Sequence, residues 1–379
     1  MKREMHCENN LLKWYIKTRI QESTKKNEKG VFSTPLAFSF LLTNRCVLKC
    51  KHCFYHKTME SHINEELTFD EYKKISDHLS SFIYAFFCGG EPFLRDDFAD
   101  IVSLFQTQNN VIWANSTTNG QLTNKIVTSV KKLVEGNNRF FNLNFSFEGP
   151  EEINDLIRGK KTFKRALNSF KECAKIREHN KNLKLGITTT MCSINQEYLL
   201  DFFNWIYKEL KPDQINCLMI RQDPRGGESM KDVDIKNYLE VSNLLKKIRK
   251  DINPNSENLF YHQLSIMNDL IYQTFINNKK QFVCYAGTHG GFIDYDGSVN
   301  VCEVFCDKKL NDDPKTHTLG NLRDFDYDFN KLWNTPRANK ARSEVNINPV
   351  CLKCTHETEG LIPSLLIKPN ALANYVNEI

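Results

Sequence analysis

Cys46, Cys50 and Cys53 fall within the nine residues CVLKCKHCF, in CxxxCxxC spacing. Three thiolates on one loop can hold three corners of a cubane iron-sulfur cluster and leave the fourth iron without a protein ligand, open to a substrate or cofactor. A zinc staple is the competing chemistry, but structural zinc takes four protein ligands, usually from two paired motifs. His52 and His56 are the nearby candidates for a fourth ligand. His52 is wedged between binding residues and is expected to point elsewhere.

A second set of thiols is spread over the C-terminal third. Cys284 and Cys302 bound the stretch CYAGTHGGFIDYDGSVNVC, and Cys351 and Cys354 form the knuckle CLKC. Asp296-Gly297 between two β-like runs is a strong hairpin signal, and such a hairpin would bring Cys284 and Cys302 around one metal. With the knuckle they make a fully protein-ligated site, for a 4Fe-4S cluster or for zinc. Cys306, in CEVFC, and His356 are alternative ligands. Cys7, Cys88, Cys173, Cys192 and Cys217 stand alone, most of them in apolar strands or helices, and are expected to be small core residues.

The elements that must position these groups alternate along the chain. Six apolar runs of strand length, at 36–43, 82–88, 111–118, 140–147, 183–191 and 214–220, are separated by helix-compatible stretches. TFDEYKKISDHL opens with a Thr cap and a Glu three residues on, and TFKRALNSFKECAKI repeats apolar residues at helical spacing. Strand then helix, repeated, implies parallel strands joined by crossover helices, and active sites of such sheets lie at the carboxyl ends of the strands. Cys46, Cys50 and Cys53 directly follow the first run. The expected organisation is an arm at 1–35, an α/β core at 36–255, and a linker helix with a small cysteine-rich β-hairpin and helix domain at 256–379.

The chain has 51 basic and 46 acidic residues, a net charge of +5 and no long basic block, which argues against a nucleic-acid partner. The opening residues lack an apolar signal core, and no apolar run approaches the roughly 20 residues needed to span a bilayer. No membrane partner and a cytoplasmic location are expected, where thirteen cysteines point to metal or catalysis rather than disulfides.

Five segments in order resemble the radical S-adenosylmethionine (radical SAM) superfamily: CVLKCKHCF, CGGEPFLR, TTNG, SFEGPEEINDLIRG and INCLMIRQDPRGG. The resemblance implies a partial (β/α)6 TIM-like barrel carrying a 4Fe-4S cluster on Cys46, Cys50 and Cys53, with S-adenosylmethionine at its open iron. It further implies that Gly89, Gly90, Glu91 and Pro92 hold the methionyl amino group and that Ser146 and Arg158 contact the ribose and carboxylate. Leu218 and Met219 would lie near the adenine, and His52, Thr118 and Asn119 complete the cofactor set. The C-terminal cysteines resemble the auxiliary-cluster extensions called SPASM or, in shorter form, twitch. No further cysteine follows the CLKC, which favours one auxiliary 4Fe-4S cluster.

The activity so implied is reductive cleavage of S-adenosylmethionine to a 5′-deoxyadenosyl radical that removes a substrate hydrogen, fed by a one-electron donor such as flavodoxin or ferredoxin. No protein residue is assigned to the radical step. The short arm and the single auxiliary cluster tilt the substrate toward a small polar molecule such as a sugar or nucleotide-sugar. A maturase of a ribosomally made peptide or protein is the alternative, and a non-catalytic metal-stabilised binding protein a third. Asn144, Thr189, Arg221, Arg225 and Glu303 are candidate substrate contacts, with the two arginines suited to an anionic group.

Overall fold

The computed structural model describes residues 34–57, 59, 65–135, 139–252, 259–306, 318–356, 360 and 362–363. All six expected strands form: β1 (Ala37–Leu41), β2 (Tyr84–Cys88), β3 (Trp113–Thr118), β4 (Phe141–Ser146), β5 (Leu183–Met191) and β6 (Gln214–Met219). Between them lie α1 (Phe69–Asp77), α2 (Phe98–Gln108), α3 (Thr123–Val134), α4 (Glu151–Arg158), α5 (Thr162–His179) and α6 (Leu199–Glu209). The six strands are parallel and pair in sequence order; β6 is an edge and does not return to β1, so the barrel is open.

Alternation along the strands decides what each face does. Phe38, Phe40, Phe87, Leu143, Phe145, Leu185, Ile187, Ile215 and Cys217 are wholly buried in one apolar cluster. Ser39, Asn115, Asn142, Asn144, Gln214 and Asn216 occupy the intervening positions and give the inner face a polar lining. A closed barrel would fill that face with branched apolar side chains. Here the polar lining fits an open barrel with room for a ligand.

After α7 (Ile235–Ile252) and α8 (Leu259–Ile276), the hairpin expected at Asp296-Gly297 forms from β7 (Gly290–Ile293) and β8 (Ser298–Asn300), followed by β9 (Thr318–Asn321). Gly297 takes φ +86° in the turn, a conformation that favours glycine. The cysteine-rich C-terminal region is joined to the core in two places. β7 lies parallel against β1, Ala37 facing Gly290, so the hairpin continues the barrel sheet into nine strands. Phe38 meets Phe329 edge-on at 5.2 Å, and the same apolar cluster runs on to Trp333, Ala341 and Cys351 through α9 (Phe329–Trp333), α10 (Pro336–Glu344) and α11 (Pro349–Leu352).

α1 forms a second joint. Thr68 and Glu71 make the expected capping box, and the Glu71 carboxylate also accepts from Arg323 Nε at 2.7 Å and from the Tyr327 hydroxyl at 2.9 Å. Burial works against ionisation, yet these donors hold the Glu71 carboxyl down to about 2. Most of the expected N-terminal arm, with Cys7, lies outside the described residues, as does the Cys306 side chain. No helix among the described residues is long and apolar enough to cross a membrane.

Candidate functional site

The loop bearing Cys46, Cys50 and Cys53 leaves the carboxyl end of β1 and is gripped by backbone from three later segments. Gly90 and Glu91 donate to the Thr43 and Arg45 carbonyls, both at 2.8 Å; Lys51 donates to Ile157 at 2.9 Å; Arg225 and Gly226 donate to Cys53 and Lys51 at 3.1 and 2.7 Å. A Cβ at Gly89 would sit 2.4 Å from the Thr43 oxygen, and one at Gly90 2.1 Å from the Arg45 oxygen. The two glycines, expected to let backbone approach a ligand, thus let it approach the cysteine loop.

Glu91 is also occupied differently from expectation. It is fully buried, and its carboxylate accepts from Asn119 N and Thr118 Oγ1, both at 2.8 Å, and from Phe93 N at 3.3 Å. Despite these donors, burial pushes its carboxyl up to about 7. Glu91 therefore ties the segment after β2 to that after β3, with Pro92 opening the short 3-10 turn it caps. Thr118 belongs to the same tie. Asn119 reaches the thiols directly, its Nδ2 lying 3.7 Å from Cys46 Sγ.

Arg158, expected at the cofactor, is buried at the end of α4. Its Nε and Nη2 donate to Glu148 Oε1 at 2.9 and 2.5 Å, while Nη1 faces Cys50 Sγ at 3.9 Å. His52 Nε2 stands 3.6 Å from the same Glu148 oxygen, and burial pushes its pKa down to about 4, so the ring is neutral. His56 faces Asp223 instead, at 4.0 Å.

The remaining expectations divide by strand face. Met219 packs into the helix-side core, which takes it away from any adenine inside the barrel, whereas Leu218 is only half buried. Ser146 closes β4 at its carboxyl end, half buried. Thr189 is fully buried and donates to Phe147 O, and Asn144 accepts from Gln214 Nε2 at 2.7 Å. Arg221 and Glu303 pair with each other at 3.0 Å instead of waiting for an anion. Two partners escaped the sequence reading. Glu148 stands inside the quoted SFEG, and Glu66, in EELTF, takes both Arg45 Nε and Nη2 at 3.0 and 2.9 Å.

The thiols suit the group the motif implies. Burial, helped by mutual repulsion, raises Cys46 to about 12 and Cys53 to about 11, and burial raises Cys50 too. Three thiolates can persist together here only against a cationic centre, and an all-sulfur donor set selects soft metal such as an iron-sulfur cluster. The second set converges as well. Cys284, Cys302, Cys351 and Cys354, with His356, line one small cavity walled by Phe282, Ala286, Val304, Val345 and Val350. Burial raises Cys284 to about 12 and Cys354 to about 11. Cys173, Cys192 and Cys217 are buried and Cys88 is half-buried.

Among the described residues no three His, Cys, Asp or Glu side chains gather around one point closely enough for a single metal ion. A cubane asks less of its ligands, since each thiolate binds a different iron at its own corner.

An open parallel barrel with a three-thiol loop at the carboxyl end of β1 and a four-thiol cavity beyond it defines a protein class. The family model of the radical SAM superfamily matches residues 40–206, and that of the SPASM iron-sulfur cluster-binding domain matches 284–355. The chain thus carries a radical SAM domain, of a superfamily of enzymes, and a SPASM domain. These domains imply a 4Fe-4S cluster, S-adenosylmethionine and auxiliary iron-sulfur.

Fe-coproporphyrin III synthase of Methanosarcina barkeri is 30% identical over 174 residues, 45% of this chain and 41% of that protein. PqqA peptide cyclase of Bradyrhizobium diazoefficiens is 32% identical over 80 residues, 21% of each chain. The chain thus spans less than half the length of either curated relative. Among solved structures, anSMEcpe with bound AdoMet and Cp18Cys peptide shares the fold with TM-score 0.57 at 19% identity, covering 90% of this chain and 99% of that one. SuiB of Streptococcus suis bound to precursor peptide SuiA has TM-score 0.58 at 16% identity, covering 90% and 73%.

Proposed function

We propose that this chain is a radical SAM enzyme that removes a hydrogen atom from a peptide. The observation that carries the enzymatic reading is the convergence of Cys46, Cys50 and Cys53 on a half-buried loop clamped by backbone from three later segments. When bound there, the cluster and S-adenosylmethionine supply a 5′-deoxyadenosyl radical. The chain's own residues fix the loop, exclude water and present the substrate. Asn119 and Arg158 donate toward the cysteine sulfurs, Leu218 offers apolar surface inside the barrel, and the four-thiol cavity holds an auxiliary cluster.

The peptide reading displaces the sugar or nucleotide-sugar expectation. Two proteins of the same fold have bound peptides, and a relative acts on a peptide by name. The relative that makes Fe-coproporphyrin III favours a second reading, a non-peptide small molecule.

The test is 5′-deoxyadenosine formation by the reconstituted enzyme under reductant, with a mixed synthetic peptide library in one arm and a nucleotide-sugar panel in the other. Stimulation above the substrate-free rate by peptides alone is the expected result. Stimulation by the sugars alone would refute the peptide assignment, and no cleavage in any arm would refute the enzymatic one.

A further inference from the structure

Arg158 has an arrangement that the loop's ligand count does not call for. Its three guanidinium nitrogens split between two targets: Nε and Nη2 face Glu148, and Nη1 faces the sulfur of Cys50. The carboxylate that aims it is itself fixed. Glu148 Oε2 accepts from Thr190 N at 2.7 Å, its amide donates to Asn154 Oδ1 at 3.0 Å, and its carbonyl accepts from Asn195 Nδ2 at 2.9 Å. Both members are buried, Glu148 completely.

We propose that Arg158, aimed by Glu148, is a positioning residue that directs an N–H and the positive end of a buried ion pair at the Cys50 sulfur, raising the reduction potential of the cluster on that loop. The proposal rests on the cluster reading above. The pair is neutral as a whole, but its two ends lie at different distances from the sulfur. The guanidinium is the nearer, so the field at Cys50 is positive. In a buried site that field is weakly screened, and a guanidinium keeps its charge at any working pH. Adding an electron makes the cluster more negative, so a positive field stabilises the reduced form; hydrogen bonds to the sulfurs and net charge are among the quantities that set cluster potentials.

Cys46 supplies an internal contrast. Its sulfur is approached by neutral donors, Asn119 Nδ2 at 3.7 Å and Leu48 N at 3.5 Å. Of these contacts to the loop sulfurs, the one from Arg158 is the only one that brings a full charge.

The experiment is a potentiometric titration of the anaerobically reconstituted enzyme, followed by electron paramagnetic resonance. The loop cluster is recognised as the one whose signal responds to added S-adenosylmethionine, and the auxiliary cluster serves as the reference. Arg158→Gln alone would strand the buried Glu148 carboxylate, so the principal variant is the neutral pair Glu148→Gln with Arg158→Gln. At a fixed ambient potential the double variant is expected to lower the reduced-to-oxidised ratio of the loop cluster about tenfold, equivalent to about 59 mV for one electron. The auxiliary cluster should not move. Arg158→Lys, which keeps the charge but not the fork, should fall between wild type and the double variant.

An unchanged loop-cluster midpoint in the double variant would overturn the proposal. So would loss of loop iron from both variants with the fold intact, which would make Arg158 a strut for the loop. A wild-type enzyme with no cluster that responds to S-adenosylmethionine would overturn the proposal together with the cluster reading beneath it.

Discussion

The two thiol sites are built on opposite plans. Cys46, Cys50 and Cys53 are neighbours in sequence, and the fold's contribution is a set of backbone clamps from residues 90–91, 157 and 225–226. Cys284, Cys302 and the Cys351–Cys354 knuckle come from three separate segments and meet only because β7 adds to β1 and α9 to α11 pack behind it. The first site can lose its metal and leave the barrel standing. In the second, the metal is part of what joins distant segments, so binding and folding are coupled.

The sharpest break of that comparison is on activity. Replacing Cys46, Cys50 and Cys53 with Ala should abolish S-adenosylmethionine cleavage, measured as 5′-deoxyadenosine, while thermal melting stays close to wild type. The reciprocal pair, Cys351→Ala with Cys354→Ala, should cost at least about 4 kcal/mol of stability in denaturant unfolding. Equal melting shifts in the two variants would erase the distinction.

Gly90→Ala asks whether the clamps matter as argued. Its Cβ would lie 2.1 Å from the Arg45 oxygen, a backbone atom with little room to yield, so a loss of about 3 kcal/mol is expected. Loop iron should fall and auxiliary iron should be retained.

The smallest effect belongs to the joint between α1 and the C-terminal region. Arg323→Ala should cost about 1 kcal/mol at neutral pH. Because Glu71 titrates near 2 in the folded chain against an ordinary 4.5, its contribution is complete above about pH 4.5 and is lost as pH falls toward 2. Wild type should therefore lose stability over that window more steeply than the variant, and parallel pH profiles would contradict the assignment.

Much of this was legible before any coordinates. The six strands follow from runs that alternate with helical stretches, and the loop cysteines from their spacing. The second ligand set needed only the Asp296-Gly297 hairpin and the knuckle. What was harder to read is what alternation or pairing decides in three dimensions. Met219 shares the parity of Ile215 and Cys217, so its burial in the helix-side core could have been read from the strand's period. Glu148 had no such signal, since a carboxylate becomes the partner of an arginine ten residues on only when α4 turns back over the end of β4. The edge that the C-terminal hairpin joins was not legible either, because nothing in a short hairpin says that β7 will pair with β1.

The most direct test of the central claim, two cluster sites of which one is on the loop, is iron and acid-labile sulfide per chain after anaerobic reconstitution. About eight irons in the native sequence, falling to about four when Cys46, Cys50 and Cys53 are replaced by Ala, is the expected result for two 4Fe-4S clusters. Four falling to none with zinc present would contradict the auxiliary cluster, and no iron in either protein would contradict the account as a whole.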